Sequence, residues 1–128
     1  MKKIYLSVFI IGFMLNVAFA GEALNLTKSP NSKVIMLFYS PGCNDCKEIR
    51  NKFLPELIEK YGNKIWIEEY DIDNPESFAV LLDLQNKYDK RAKKGFFNPS
   101  PPAVFAEHKL LYGVKDIKNK LPKLLRLK

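Results

Sequence analysis

The chain has 128 residues, 47% of them hydrophobic, with two cysteines, one histidine and a formal net charge of +7. That length suits one compact domain and is too short for two, and two cysteines with a single histidine do not make a four-ligand structural zinc site. The positive charge gathers at Lys90, Arg91, Lys93 and Lys94 and along Lys115 to Lys128. No aromatic stacking platform or glycine-rich phosphate loop accompanies it, which argues against nucleic-acid binding and for solvated faces with a weak attraction to anionic membrane surfaces.

At the N-terminus Lys2 and Lys3 precede an apolar run from Ile4 to Leu15, and Ala18-Phe19-Ala20 supplies a small-x-small pattern before Gly21. This is the layout of a secretory signal, so residues 1–20 are expected to be removed, 21–32 to lead in, and 33–128 to form the domain. The alternative is a retained anchor; the apolar run is broken at Asn16 and falls short of the ~20 residues that cross a bilayer. Export to the periplasm or beyond the cell is the resulting expectation.

Val34 to Tyr39 has no polar interruption, the pattern of a central strand covered on both faces. Cys46, Ile49, Phe53, Leu57 and Tyr61 then recur at helical spacing, with Leu54 and Ile58 widening the stripe, Gly62-Asn63 as the stop and Pro55 as the place for a kink or break. Ile65 to Ile72 mixes β-branched and aromatic residues with Glu68, Glu69 and Asp71, which suits an edge strand. Asn74-Pro75-Glu76 reads as a capped helix start, with Phe78, Leu81, Leu82 and Tyr88 as the buried stripe. After an aperiodic stretch from Lys90 to Ser100, Pro102–Ala106 and Leu110–Tyr112 form a hairpin across Glu107-His108-Lys109. A closing helix carries Val114, Ile117, Leu121, Leu124 and Leu125, and Pro122 is expected to split or kink it. This order predicts an α/β fold, a four-stranded mixed sheet flanked by helices on both faces.

Cys43-Asn44-Asp45-Cys46 lies where the first strand gives way to the first helix. A thiol at the first turn of a helix feels the positive end of the backbone dipole, which stabilises its thiolate. Cys43 is the candidate attacking sulfur, and Cys46, one turn on, is placed to resolve a mixed disulfide from within the chain. The bland alternatives are a metal site and an inert bridge, the latter closing too small a loop to add much stability.

The segment Phe38-Tyr39-Ser40-Pro41-Gly42-Cys43-Asn44-Asp45-Cys46-Lys47, with Pro102-Ala103-Val104-Phe105 leading to Gly113, resembles the thioredoxin superfamily in its minimal form, and Cys46-Lys47 through Leu54-Pro55 is similar to exported thioredoxin-related proteins. The resemblance implies a cis bond before Pro102, set against the attacking cysteine, and a substrate-binding role for Gly42, Pro101 and Pro102. Three departures stand out. Leu37 occupies the position of the buried aspartate that assists proton transfer in cytosolic thioredoxins, so water or one of Glu68, Glu69 and Asp71 must accept the Cys46 proton. Gly42 replaces the usual bulky aromatic and opens the rim beside Cys43. Pro101 lacks the N–H that the family offers to an extended substrate, a loss on the order of 1 kcal/mol, and Phe96 and Phe97 are candidates to supply apolar contact instead.

The resemblance implies an extracytoplasmic thiol-disulfide oxidoreductase with no cofactor and no metal, acting as a monomer on protein disulfide or dithiol substrates. Asp45 opposes thiolate formation at Cys43 while Lys47 partly offsets it, and no His or Arg flanks the pair, which favours a reductant over a strong oxidant. A reductase in an oxidising compartment must be recharged, and a membrane dithiol electron donor is implied. The competing readings are a disulfide oxidase or isomerase, a glutathione-dependent glutaredoxin, and a Cu(I) metallochaperone using the two cysteines as soft ligands, for which His108 lies too far along the hairpin.

Overall fold

The computed structural model describes residues 28–95 and 100–126; the expected signal, most of the lead segment, and Phe96 and Phe97 lie outside the described residues. The elements in chain order are β1 (Lys33–Tyr39), α1 (Asn44–Glu48), a π-helical turn (Ile49–Phe53), α2 (Leu54–Tyr61), β2 (Ile65–Asp71), α3 (Pro75–Tyr88), β3 (Ala103–Ala106), β4 (Lys109–Tyr112) and α4 (Gly113–Leu124). The strands form one sheet in the order β2-β1-β3-β4. β1 and β2 are parallel, with Ile35 opposite Ile67; β3 runs antiparallel to β1, with Phe38 opposite Ala103, and β4 antiparallel to β3, with Val104 opposite Leu111. This is the four-stranded thioredoxin-like arrangement, with β1 central and β2 at an edge.

Side chains alternate across a strand, so β1 feeds two cores. Ile35 and Leu37 pack with Ile49, Phe53, Leu54 and Leu57 and with Ile117, Leu121 and Leu125, so the helices after the dithiol and α4 share one face of the sheet. Phe38 points the other way, against Leu81 and Ala103, with Tyr70, Leu84, Phe105 and Tyr112 partly buried around it. Phe38 stacks on Tyr70 with ring centroids 5.1 Å apart. Burying each such large apolar side chain is worth about 1.5–3 kcal/mol, and among the described residues most of this burial lies on the dithiol side.

The helix that follows the dithiol does not run as one α-helix. It widens into a π turn just before Pro55, the second residue of α2, and Leu54 N–H reaches back to the Ile49 carbonyl. Proline has no N–H for the carbonyl four residues back and its ring crowds that group; a one-residue widening relieves both problems without ending the helix. The expected break at Pro55 is therefore a local rewinding on its N-terminal side. Ile58, assigned to the buried stripe, is 39% exposed. Leu54 and Leu57, assigned to the same stripe, are the buried residues of α2.

Pro122 does not split or stop α4. It sits in the last turn, where one missing bond matters little, and Leu125 N–H still reaches the Leu121 carbonyl at 3.0 Å. α3 begins as read, with the Asn74 carboxamide accepting the Glu76 N–H at 2.9 Å and Pro75 in the first helical position. Its buried residues are Leu81 and Gln85, with Phe78, Leu82 and Tyr88 only half-buried. The hairpin turn places Glu107 and His108 at φ 48° and 59°, a left-handed pair usually given to Asn-Gly. Among the described residues no helix is long and apolar enough to cross a membrane.

Candidate functional site

β1 ends at Tyr39, and Ser40-Pro41-Gly42 carries the chain over the end of the sheet into α1. Cys43 is the N-cap of α1 (φ −87°, ψ 115°), and its sulfur accepts the Cys46 N–H at 3.0 Å. Its own N–H donates to the Ser40 carbonyl at 3.1 Å, closing the turn before the helix. A sulfur in this position takes up a helix N–H that would otherwise lack a partner, which favours negative charge on it. Cys43 and Cys46 form a disulfide, with Cα atoms 5.2 Å apart. Cys43 is half-buried, whereas Cys46 is 1% exposed, so only the first sulfur is open to another molecule. Gly42 is exposed, and a side chain there would meet nothing within 4 Å.

The Pro101–Pro102 peptide bond is cis. Pro102 is buried, and its carbonyl accepts the Gly113 N–H at 2.9 Å, tying the start of β3 to the start of α4. Since Phe38 pairs with Ala103, continuing the register sets Pro102 beside Tyr39 and Pro101 beside Ser40, at the end of the sheet that carries the dithiol. Gly42, Cys43, Cys46, Pro101 and Pro102 thus gather at one pole of the molecule. His108 sits at the opposite end of the hairpin, its ring 5.7 Å from that of Tyr88.

Leu37 is fully buried in the apolar core. Strand alternation sorts the three carboxylates named as proton acceptors for Cys46. Glu68 turns to the α3 side, where it accepts the Tyr70 hydroxyl at 3.0 Å and pairs with Lys28 at 3.2 Å. Burial, with help from Glu68, pushes the Tyr70 hydroxyl above its ordinary value. Glu69 lies on the dithiol side and pairs with Arg50 at 2.7 Å. Asp71 accepts the Asp73 N–H at 2.9 Å, and Asp73 in turn accepts the Ser40 hydroxyl at 3.0 Å.

Arg50 is a site residue that sequence reasoning missed. Its guanidinium lies 4.6 Å from the Tyr39 ring centroid, and its bond to Glu69 holds it above its already high ordinary value. Tyr39, Ser40, Pro41, Cys46, Lys47 and Arg50 line a cavity of about 260 Å³. Cys46 is thus part of the wall of a cavity whose cations are Lys47 and Arg50. The signal was available: Arg50 follows Cys46 by four residues, so it lies on the same helical face.

No protein-family model and no curated protein sequence matches the chain. Solved structures similar to it include a germline-specific thioredoxin, Deadhead, from Drosophila melanogaster, 22% identical over 74% of this chain and 83% of that one, with a TM-score of 0.47. A buckwheat glutaredoxin in complex with glutathione is 18% identical over 73% of this chain and 72% of that one, TM-score 0.42. Glutaredoxin 1 from Francisella tularensis, complexed with cacodylate, is 20% identical over 73% of this chain and 98% of that one, TM-score 0.43.

Proposed function

We propose that this chain is an extracytoplasmic thiol-disulfide oxidoreductase that reduces protein disulfides. The observation that carries the proposal is the asymmetry of the pair: a partly exposed Cys43 whose sulfur accepts a helix N–H, joined to a Cys46 that is 1% exposed and inaccessible to substrate. In the reduced protein the Cys43 thiolate attacks one sulfur of a substrate disulfide, forming a mixed disulfide and expelling the other substrate sulfur as a thiolate, which takes up a proton. Cys46 gives up its proton into the cavity it shares with Tyr39 and Arg50 and attacks the Cys43 sulfur. The second substrate thiolate leaves, and two electrons have passed from the protein dithiol to the substrate.

Direction follows from charge. Asp45 is exposed beside Cys43, Lys47 offsets it only in part, and the Arg50 guanidinium is taken up by Glu69. The reduced form is therefore not strongly favoured, which supports a couple near the reducing end of its class. Recharging falls to a membrane dithiol donor, and the open rim at Gly42 beside the paired prolines receives the extended substrate as a monomeric enzyme's docking edge.

A Cys46→Ala variant expressed in the native envelope should accumulate mixed disulfides through Cys43, and identifying the captured proteins would expose substrates and donor together. A Cys43 thiol that alkylates no faster than free cysteine would sink the enzyme reading. A reduction potential near about −120 mV, the strongly oxidising end of the class, would overturn the direction alone.

A further inference from the structure

A second feature lies at the pole opposite the dithiol. The C-terminal ends of α2 and α4 meet there around a groove of about 470 Å³ lined by Lys60, Tyr61, Lys118, Asn119, Lys123 and Arg126, with no carboxylate among the described residues of its lining. Lys118 is taken up by Glu48, and Asp116 by Lys120. Lys60 lies 5.4 Å from the Tyr61 ring centroid. Among the described residues, Lys60, Lys123 and Arg126 have no acidic partner, so three cations converge on one groove.

The polypeptide enters the domain at the same pole. The Ser32 hydroxyl donates to the Asn63 carbonyl at 2.9 Å, just past α2, and Lys33 Nζ donates to the Leu124 carbonyl at 3.1 Å, at the end of α4. The sequence before Lys28 carries the apolar run Ile4 to Leu15 behind Lys2 and Lys3. The dithiol lies beyond the far end of β1, whose seven residues at about 3.3 Å each put roughly 20 Å between groove and sulfur.

We propose that this groove is a docking face for the anionic headgroups of a lipid bilayer, holding the domain to the membrane by the pole at which its N-terminal segment arrives and turning the dithiol away from the surface. Each headgroup phosphate meets an unpaired cation in a concave site that admits it, and each unpaired cation strengthens attraction to an anionic leaflet. The face works whether the apolar run is retained or cleaved, because its cations belong to the folded domain.

The test is flotation of the full chain with vesicles of phosphatidylcholine alone and of phosphatidylcholine mixed with phosphatidylglycerol, so that insertion of the apolar run contributes equally to both. We expect a preference for the anionic vesicles that falls at least about tenfold when Lys60, Lys123 and Arg126 are all changed to Glu, and that weakens with salt. The same number of reversals at the exposed Lys52, Lys94 and Lys115, outside the groove, should leave most of the preference in place. Equal loss in the two triple variants would overturn the proposal in favour of net charge alone. A preference abolished by millimolar inorganic phosphate at constant ionic strength would overturn it in favour of a soluble-phosphate site. If the reversed groove variant fails to give the cooperative melt of the parent, the Lys60, Lys123 and Arg126 to Gln variant replaces it, with a loss of several-fold expected and an unchanged preference overturning the proposal.

Discussion

The two faces of the sheet are held in different ways. Under α1, α2 and α4 the contact is hydrocarbon: Ile35, Leu37, Ile49, Ile117, Leu121 and Leu125 are all fully buried. Under α3, among the described residues, only Leu81, Phe38 and Ala103 form the buried apolar cluster, and a polar chain runs beside them. Gln85 Nε2 donates to the Tyr112 hydroxyl at 3.0 Å, and that hydroxyl donates to Asp89 at 3.1 Å. Asp89 also accepts from Arg91, whose guanidinium lies 5.3 Å from the Tyr112 ring centroid. Among the described residues Gln85 Oε1 is buried without a partner. The dithiol rests on the face held by packing, which is dense and hard to deform, while the opposite face is latched by a few directional bonds.

The contrast is broken most severely by chemistry on one face that should leave the other untouched. Cys43→Ser should lower protein-disulfide reduction by at least about a thousandfold, because the attacking sulfur is gone, whereas Tyr112→Phe should keep kcat/KM within about twofold. Turnover of a protein disulfide substrate measures both, and a large loss in the tyrosine variant would tie the α3 latch to catalysis. Next in size, Ile117→Ala should cost about 2–5 kcal/mol of unfolding free energy by chemical denaturation, because a rigid apolar site cannot collapse around the missing atoms. A cost below about 1 kcal/mol would mean that the dithiol face is looser than its burial implies.

Tyr112→Phe should cost less, about 1–2 kcal/mol, by leaving the Gln85 amide without its acceptor and Asp89 without one donor. The smallest effects are those of pH. Burial pushes the Tyr112 hydroxyl up to about 12 from an ordinary 10.0. The unfolded chain therefore ionises first as pH rises. Stability from this group is intact below pH about 10 and is lost as pH climbs toward 12, and that alkaline loss should be missing in Tyr112→Phe. Asp89 works in the opposite direction. Burial pushes its carboxyl up, but the Arg91 N–H and guanidinium and the Tyr112 hydroxyl outweigh it and hold it below the ordinary 3.8. Its contribution is present above that value and lost as pH falls through the folded-state value, so Asp89→Asn should flatten the acid limb of the stability curve.

Much of this was legible without coordinates. The strand Val34–Tyr39, the Asn74-Pro75 helix start and the hairpin are local patterns, in which periodicity and cap chemistry suffice. The site's two sulfurs were legible for the same reason, since a strand-to-helix junction and a three-residue spacing are local. Local rules missed the π turn before Pro55, because widening the helix relieves the proline as well as breaking it does. They missed Gln85, because its burial depends on a tyrosine hydroxyl 27 residues away. They left three carboxylates in contention, and only strand phase against Arg50 separated Glu69 from Glu68.

From its sequence alone this chain determines its element order, its alternating apolar faces and a dithiol at a helix start, because each follows from neighbours along the backbone. Tertiary structure decided which sulfur is open and which is covered, which cations share a groove, and which polar groups find partners. Those outcomes depend on segments brought together from distant parts of the chain, where close packing leaves one arrangement and no short stretch of residues encodes it.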